Sequence, residues 1–124
     1  MSVAEVAARQ ALDLGLLLGD WRNTNPAGGI ARIVCERSGD DRLLVRCHSA
    51  VREWGTVEAP VFAFAFDDKK AAAFSAVFDF GFEEVRLQVN VKAGVLVVAS
   101  FNRFRDGSGR SGYFDREFFY RLRP

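Results

Sequence analysis

The chain has 124 residues, 49% of them hydrophobic and 27% charged, enough for a globular core that needs no disulfide or metal. Seventeen basic residues nearly balance sixteen acidic ones, which argues against nucleic acid or an anionic membrane surface as a partner. No stretch reaches the ~18 uninterrupted apolar residues of a membrane-spanning helix, and charges within the first apolar segment argue against a signal peptide, so one cytoplasmic domain is expected.

The first 19 residues are predicted to carry a short helix that precedes the rest of the fold. Ser2 and Glu5 have the spacing of a capping box, and apolar residues recur at helical intervals after them. The helix is expected to run from about Val3 to Leu14 and to end near Gly15 or Gly19.

Short apolar stretches separated by turn residues follow from residue 20 to residue 122. This rhythm is typical of an up-and-down antiparallel barrel, so the expected fold class is all-β, with eight strands and the short amino-terminal helix. The predicted strands are Asp20–Asn25, Ile30–Arg37, Arg42–Ala50, Val57–Phe66, Ala71–Phe80, Glu83–Val91, Val95–Phe104 and Tyr113–Leu122.

Two hairpin turns predict how the central strands pair. Gly81-Phe82 suits a two-residue type II′ turn, which places Phe78 opposite Val85. Residues 92–94 suit a three-residue loop, which places Val89 opposite Val97. On this register one surface of the fourth to seventh strands is uniformly apolar.

The other surface of these strands mixes aromatic, apolar and polar side chains. If the apolar surface faces the interior, as is usual for half-buried strands, the mixed surface is solvated. If the mixed surface lines the interior, it has the make-up of a small-molecule pocket, and the apolar surface needs the helix or a partner subunit to cover it. The mixed surface comprises Phe62, Phe64, Ser75, Val77, Asp79, Glu84, Arg86, Gln88, Asn90, Leu96, Val98, Ser100 and Asn102.

An up-and-down order sorts the loops between two ends of the barrel. The helix and the tight turns at 38–41, 67–70 and 92–94 form a closed end. The longer connections form an open mouth, and long loops on a rigid scaffold are where binding residues concentrate. Several polar and aromatic residues are expected near this mouth: His48, Trp54, Asp79, Glu84, Arg86, Asn102, Arg103 and Arg116.

Neither the cysteines nor the histidine predicts a metal site. Cys35 and Cys47 lie at best diagonally across one hairpin, so two free thiols are expected. His48 is the only histidine, and with the cysteines it lacks metal-ligand spacing, so no zinc and no other cofactor is predicted. An incidental exposed or packed histidine is the alternative interpretation.

Three further motifs each have two interpretations. Asp79, Glu84 and Arg86 form either an acid–base or anion-binding cluster or a surface ladder of ion pairs. The glycine-rich segment 106–112 resembles a phosphate loop but lacks the lysine and joins two strands, which favours a mobile mouth loop. Trp54 either stacks on a ligand or anchors the packing.

At Gly19-Asp20-Trp21 the chain resembles the calycins, the group of lipocalins, fatty-acid-binding proteins and avidins. Those families share a Gly-x-Trp step as the first strand opens, with an arginine of the last strand packed over the tryptophan at the closed end. Arg121 matches that arginine by position, so the resemblance implies structural roles for Trp21 and Arg121. It further implies a closed barrel that binds a small, partly apolar molecule. Trp54-Gly55-Thr56-Val57 is also similar to a step in bacterial barrel domains of uncharacterised function.

The resulting hypothesis is a lipocalin-like protein that binds a small molecule in the barrel mouth. In it the amides and guanidinium of the mixed surface orient the ligand, and Phe62 and Phe64 provide apolar contact. One alternative is a cofactor-independent cyclase or isomerase with Glu84 or Asp79 as acid–base and Arg86 as electrostatic stabiliser. The other is an interaction module that forms a homodimer. The ligand-binding candidates are Phe62, Phe64, Arg86, Gln88, Asn90, Asn102, Trp54 and His48.

Overall fold

The computed structural model describes residues 12–123, which form a closed barrel of eight antiparallel strands in up-and-down order. Each strand pairs with the next, and the last strand returns to the first, so the predicted all-β barrel is confirmed. The strands are β1 (Gly19–Asn23), β2 (Arg32–Gly39), β3 (Arg42–His48), β4 (Glu53–Ala63), β5 (Ala71–Asp79), β6 (Glu83–Lys92), β7 (Val95–Phe104) and β8 (Tyr113–Arg121).

The predicted amino-terminal helix falls mainly on residues 1–11, outside the described residues. Residues 12–14, its predicted end, are not helical: Asp13 forms a parallel bridge with Lys70 instead. The Asp13 N–H donates to the Lys69 carbonyl at 2.8 Å, and the Ala71 N–H donates to the Asp13 carbonyl at 2.9 Å. Leu14 and Leu17, fully buried, then seal the closed end of the barrel.

The apolar surface of the central strands faces the interior. Phe74 and Leu87 are at most 1% exposed, whereas Phe62 is 52% exposed on the outside. The alternative with the mixed surface inside is therefore wrong for β4, β5 and β6, whereas the β7 members of that surface face inwards: Leu96, Val98, Ser100 and Asn102. Burial of apolar side chains stabilises the fold by about 25 cal/mol per Å² of apolar surface removed from water. Polar side chains such as Arg86 stay hydrated on the outside.

One of the two predicted hairpin registers is confirmed and the other is wrong by one residue. Phe78 lies opposite Val85, as expected for the Gly81-Phe82 turn. The next turn has two residues, Ala93 and Gly94, with φ angles of 51° and 79°, so Val89 lies opposite Val98. Because side chains alternate along a strand, this shift turns the even-numbered residues of β7 towards the interior.

Strand β4 begins earlier than predicted because a bulge extends its pairing with β3. The register shifts beside His48, and Gly55 has a φ of 110°, a conformation that favours glycine. The bulge brings Trp54 into the strand, at the edge of the open end.

Both cysteines are free and buried in the core. Burial raises the pKa of the Cys35 thiol to about 12, and burial together with the neighbouring Cys35 raises the pKa of Cys47. Both thiols are therefore protonated and poor nucleophiles at neutral pH.

Within residues 12–123, no helix has the length and apolar character needed to cross a membrane.

Candidate functional site at the barrel mouth

A basin of about 200 Å³ opens at the end of the barrel away from Leu14 and Leu17. Its walls come from the ends of strands that meet there and from the loop between β1 and β2. The lining residues are Gly29, Ile30, Trp54, Glu83, Val85, Ser100, Asn102, Tyr113, Asp115 and Glu117. No lysine or arginine is among them.

The polar character of the basin arises from a gradient along the interior faces of β7 and β8. Deep in the barrel, buried Leu96 lies opposite buried Phe119. Nearer the mouth, Ser100 lies opposite Asp115, and Asn102 lies opposite Tyr113. The same interior faces thus change from apolar to polar within a few residues. The buried core side chains lie below the basin, among them Leu96 and Phe119.

Three carboxylates from Glu83, Asp115 and Glu117 surround the basin. None of them lies within 4.0 Å of a lysine or arginine nitrogen of the described chain, in contrast to the ion-paired carboxylates outside the barrel. Glu117 accepts a hydrogen bond of 2.6 Å from the Asn23 side-chain amide, which also donates to the Ile30 carbonyl at 2.8 Å. This amide fixes one carboxylate without neutralising its charge.

The ionisation of Tyr113 responds to this arrangement. Its partial burial and the nearby charges of Glu83 and Asp115 raise the pKa of the phenol above its usual value. The phenol keeps its proton at neutral pH, as an ordinary tyrosine does, and stays a hydrogen-bond donor beside the carboxylates.

Trp54 forms an aromatic wall at one side of the basin. Its ring makes edge-to-face contacts with Phe78 at 5.6 Å and with Phe80 at 5.4 Å between ring centroids. The Arg52 guanidinium covers the Phe80 ring at 4.9 Å. Trp54 therefore anchors the packing and also presents aromatic surface to the basin, so its two interpretations are compatible.

Asn102 lies at the floor and is 8% exposed. Its side-chain nitrogen donates two long hydrogen bonds, to Ser100 Oγ at 3.4 Å and to the Tyr113 carbonyl at 3.5 Å. No described residue donates to its side-chain oxygen. A polar side chain so deeply placed normally has stronger partners, so this amide is available to a ligand.

Most of the other predicted binding residues lie together on the outside of the barrel, not in its mouth. Phe62, Phe64, Arg86, Gln88 and Asn90 belong to the part of the mixed surface on β4 to β6, which faces solvent. Two shallow grooves run over this surface, of about 500 and 720 Å³, and Gln88 lines both.

The Asp79, Glu84 and Arg86 side chains belong to a network of ion pairs on the outer face. Arg105 bonds Asp79 and approaches Glu84 at 3.5 Å, while Arg86 approaches Glu84 at 3.7 Å. Hydrogen bonds from Arg105 and from the Gly81 N–H lower the pKa of Asp79. This arrangement is a surface ladder of ion pairs, and neither Asp79 nor Glu84 faces the barrel interior.

His48 and the loop of residues 106–112 lie at the open end of the barrel but do not line the basin. His48 Nε2 is buried and has no hydrogen-bond partner among the described residues. In the loop, Arg110 bonds Asp106 and lies over the Phe104 ring at 3.9 Å. Hydrogen bonds from Ser108 and Arg110 lower the pKa of Asp106 to about 2.

Trp21 and Arg121 meet at the closed end in the geometry that the calycin resemblance implies. Arg121 lies over the Trp21 ring at 4.6 Å and donates to the carbonyls of Gly15 and Leu16. The Trp21 indole N–H donates to the Leu17 carbonyl at 2.9 Å. Gly19 has a φ of 134°, which explains the glycine of the Gly-x-Trp step.

The sequence did not point to five of the polar residues that line the basin. Three of them lie on β8, and their signal was the alternation by which residues 113, 115, 117 and 119 share a face. Recognising it required the correct register of β7. The missed residues are Glu83, Ser100, Tyr113, Asp115 and Glu117.

The donor groups of residues 12–123 do not gather into a metal site, since no three His, Cys, Asp or Glu side chains are placed to hold an ion. Comparison with known proteins gives no match among protein-family models, curated proteins or solved structures.

Proposed function

We propose that the protein binds a small molecule in the barrel mouth and that this molecule is a compact organic cation, a protonated amine with an apolar part. The observation that carries the proposal is the set of three carboxylates without ion-pair partners around one basin. Carboxylates that no lysine or arginine of the described residues pairs with attract a bound cation.

The other walls of the basin suit the remainder of such a ligand. Trp54 offers an aromatic face, which attracts an ammonium group or packs on an apolar ring. The free side-chain oxygen of Asn102 is an acceptor for an ammonium N–H. A volume of about 200 Å³ lies below the ~300 Å³ at which pockets for drug-sized ligands begin, which favours a ligand of few atoms.

The cyclase or isomerase alternative receives no support from this site. Its proposed acid–base residues, Asp79 and Glu84, lie on the outer face and are paired with Arg105. The small basin also lacks room to fold a flexible substrate.

Matched pairs of small amines and neutral isosteres, such as benzylamine and benzyl alcohol, test the proposal. Two-dimensional NMR titration is expected to show that the amine shifts the amide signals of Ser100, Asn102 and Asp115. The isostere is expected to bind at least tenfold more weakly. Asp115→Asn should weaken amine binding at least fivefold, whereas Glu53→Gln, a carboxylate at the same end but outside the basin, should not.

Two results would contradict the proposal. One is equal affinity for amines and neutral isosteres; the other is a set of amines that leaves the amides of the basin unchanged.

A further inference from the structure

The outer face of β6, β7 and β8 carries an aromatic platform that the barrel does not need for its own packing. Phe101 and Phe114 lie directly opposite each other, stacked with ring centroids 5.7 Å apart and planes at 27°. They are 42% and 56% exposed. Two adjacent half-exposed aromatic rings leave apolar surface in contact with water, which is characteristic of binding surfaces.

Guanidinium groups border this platform. Arg86 lies directly opposite Phe101 on the neighbouring strand, and Arg103 follows Phe101 by two residues on the same face. Register geometry therefore places both within about 7 Å of Phe101, measured between backbone positions. On the other side the Arg116 guanidinium lies 5.7 Å from the centre of the Phe114 ring.

Three guanidinium groups on this face stand against one carboxylate, Glu84, which lies opposite Arg103 and also lines the groove. No carboxylate of the described residues lies within 4.0 Å of the Arg103 or Arg116 guanidinium, and Arg86 has only the 3.7 Å contact with Glu84. Glu84 is itself shared with Arg105. Available guanidinium groups recognise carboxylates through paired N–H donors.

We propose that this face, which adjoins the mouth at Asn102 and Tyr113 but opens on the outside of the barrel, is a second binding site for a planar aromatic carboxylate. Its ring packs against the exposed surface of the Phe101–Phe114 pair, and its carboxylate is held by Arg86 and Arg103. The groove along these side chains has a volume of about 500 Å³, within the range of small-molecule sites. Gln88, which also lines the groove, offers an amide for a ring substituent.

The positive charge of this face argues against a second copy of the chain as its binding partner. A two-fold contact brings the same patch of both subunits together, so arginines near the axis would meet arginines. A negatively charged occupant gains from the same three guanidinium groups. The homodimer alternative is therefore an outcome of the test rather than the proposal.

The experiment uses 2-naphthoate as the probe and its neutral amide, 2-naphthamide, as the charge control. In an NMR titration, naphthoate should shift the amide signals of Arg86, Phe101, Arg103 and Phe114, and leave those of Ile30 and Trp54, which line the basin from other parts of the chain, unchanged. Naphthamide should bind at least tenfold more weakly. The readout and the probe differ from those for the mouth site, so either proposal can fail alone.

Matched variants identify the contribution of each group. Phe114→Ser and Arg103→Gln should each weaken naphthoate binding at least fivefold. Phe66→Ser removes a fully exposed phenylalanine elsewhere, and Arg46→Gln removes an arginine on the far side, so both should leave the affinity unchanged. All four positions are exposed, so folded protein is expected for each.

Three outcomes would overturn the proposal. The first is naphthoate affinity that Phe114→Ser and Arg103→Gln do not alter. The second is a dimer in sedimentation analysis that dissociates on Phe114→Ser. The third is binding of a single-stranded oligonucleotide to this face without binding of naphthoate.

Discussion

Arg121 shows how one side chain can hold two parts of the barrel together. Its guanidinium lies over the buried ring of Trp21, and its N–H groups reach the backbone of residues 15 and 16, which seal the closed end. Its aliphatic stem passes 3.4 Å from the place where a Cβ on Gly19 would lie. The residue therefore joins β8, β1 and the preceding segment at a single point.

We predict that Arg121→Ala lowers the free energy of unfolding by about 2 kcal/mol. The loss combines a cation–π contact with hydrogen bonds from a charged donor to two carbonyls. Urea denaturation followed by circular dichroism measures the change. Arg123→Ala, an exposed arginine two residues later, is the control and should change stability by less than about 0.5 kcal/mol. Equal effects of the two variants would show that the contacts of Arg121 contribute nothing specific.

At the scale of elements, the turn after β6 decides which residues of β7 reach the interior. Three residues were predicted there because Gly94 suits the left-handed position of a three-residue loop. The barrel instead places Ala93 in a left-handed conformation as well, at a φ of 51°, so that Val98 faces inwards opposite Val89. Burial of β7's even-numbered residues outweighs the local cost of about 1 kcal/mol at Ala93. Local turn preference could not reveal this, because the deciding energy comes from the rest of the core.

The conformation of Ala93 makes it a site for stabilisation. Asparagine tolerates a positive φ better than alanine and is preferred at the first position of such turns. We expect Ala93→Asn to raise the free energy of unfolding by about 0.5–1 kcal/mol. Thermal denaturation would measure the gain, with Ala27→Asn as control because Ala27 is exposed and has no positive φ. Destabilisation by Ala93→Asn would contradict the two-residue turn.

For the molecule as a whole, the order of strands and the two ends of the barrel were predictable, and the filling of the interior was not. Turn residues between apolar stretches determine an up-and-down order, and that order places Trp54 and Asn102 at the same end. Whether a lumen remains depends on how large side chains such as Phe74 and Phe119 meet across the barrel. This depends on three-dimensional packing, which the spacing of residues along the sequence does not reveal.

The barrel is closed by a short seam, the pairing between its first and last strands, and this predicts that the molecule opens there before the middle of the sheet. Strand β1 pairs with β8 only from Trp21 to Asn23, whereas β6 pairs with β7 from Glu83 to Lys92. Hydrogen bonds from the Thr24 N–H to Phe118 and from the Leu122 N–H to Asp20 extend the short seam at its two ends. A seam with few bonds separates at a smaller cost in free energy than one in the middle of the sheet.

We therefore expect the amides of Thr24 and Leu122 to exchange with deuterium at least tenfold faster than those of Leu87 and Val89. Strand β6 is paired on both sides, so its amides exchange only when much of the barrel opens. Native-state exchange followed by NMR measures both groups in one sample. Uniform exchange rates around the barrel would mean that the seam opens only in global unfolding. In that case Trp21 and Arg121, which lie at the seam, hold β1 and β8 together as firmly as the longer ladders hold their strands.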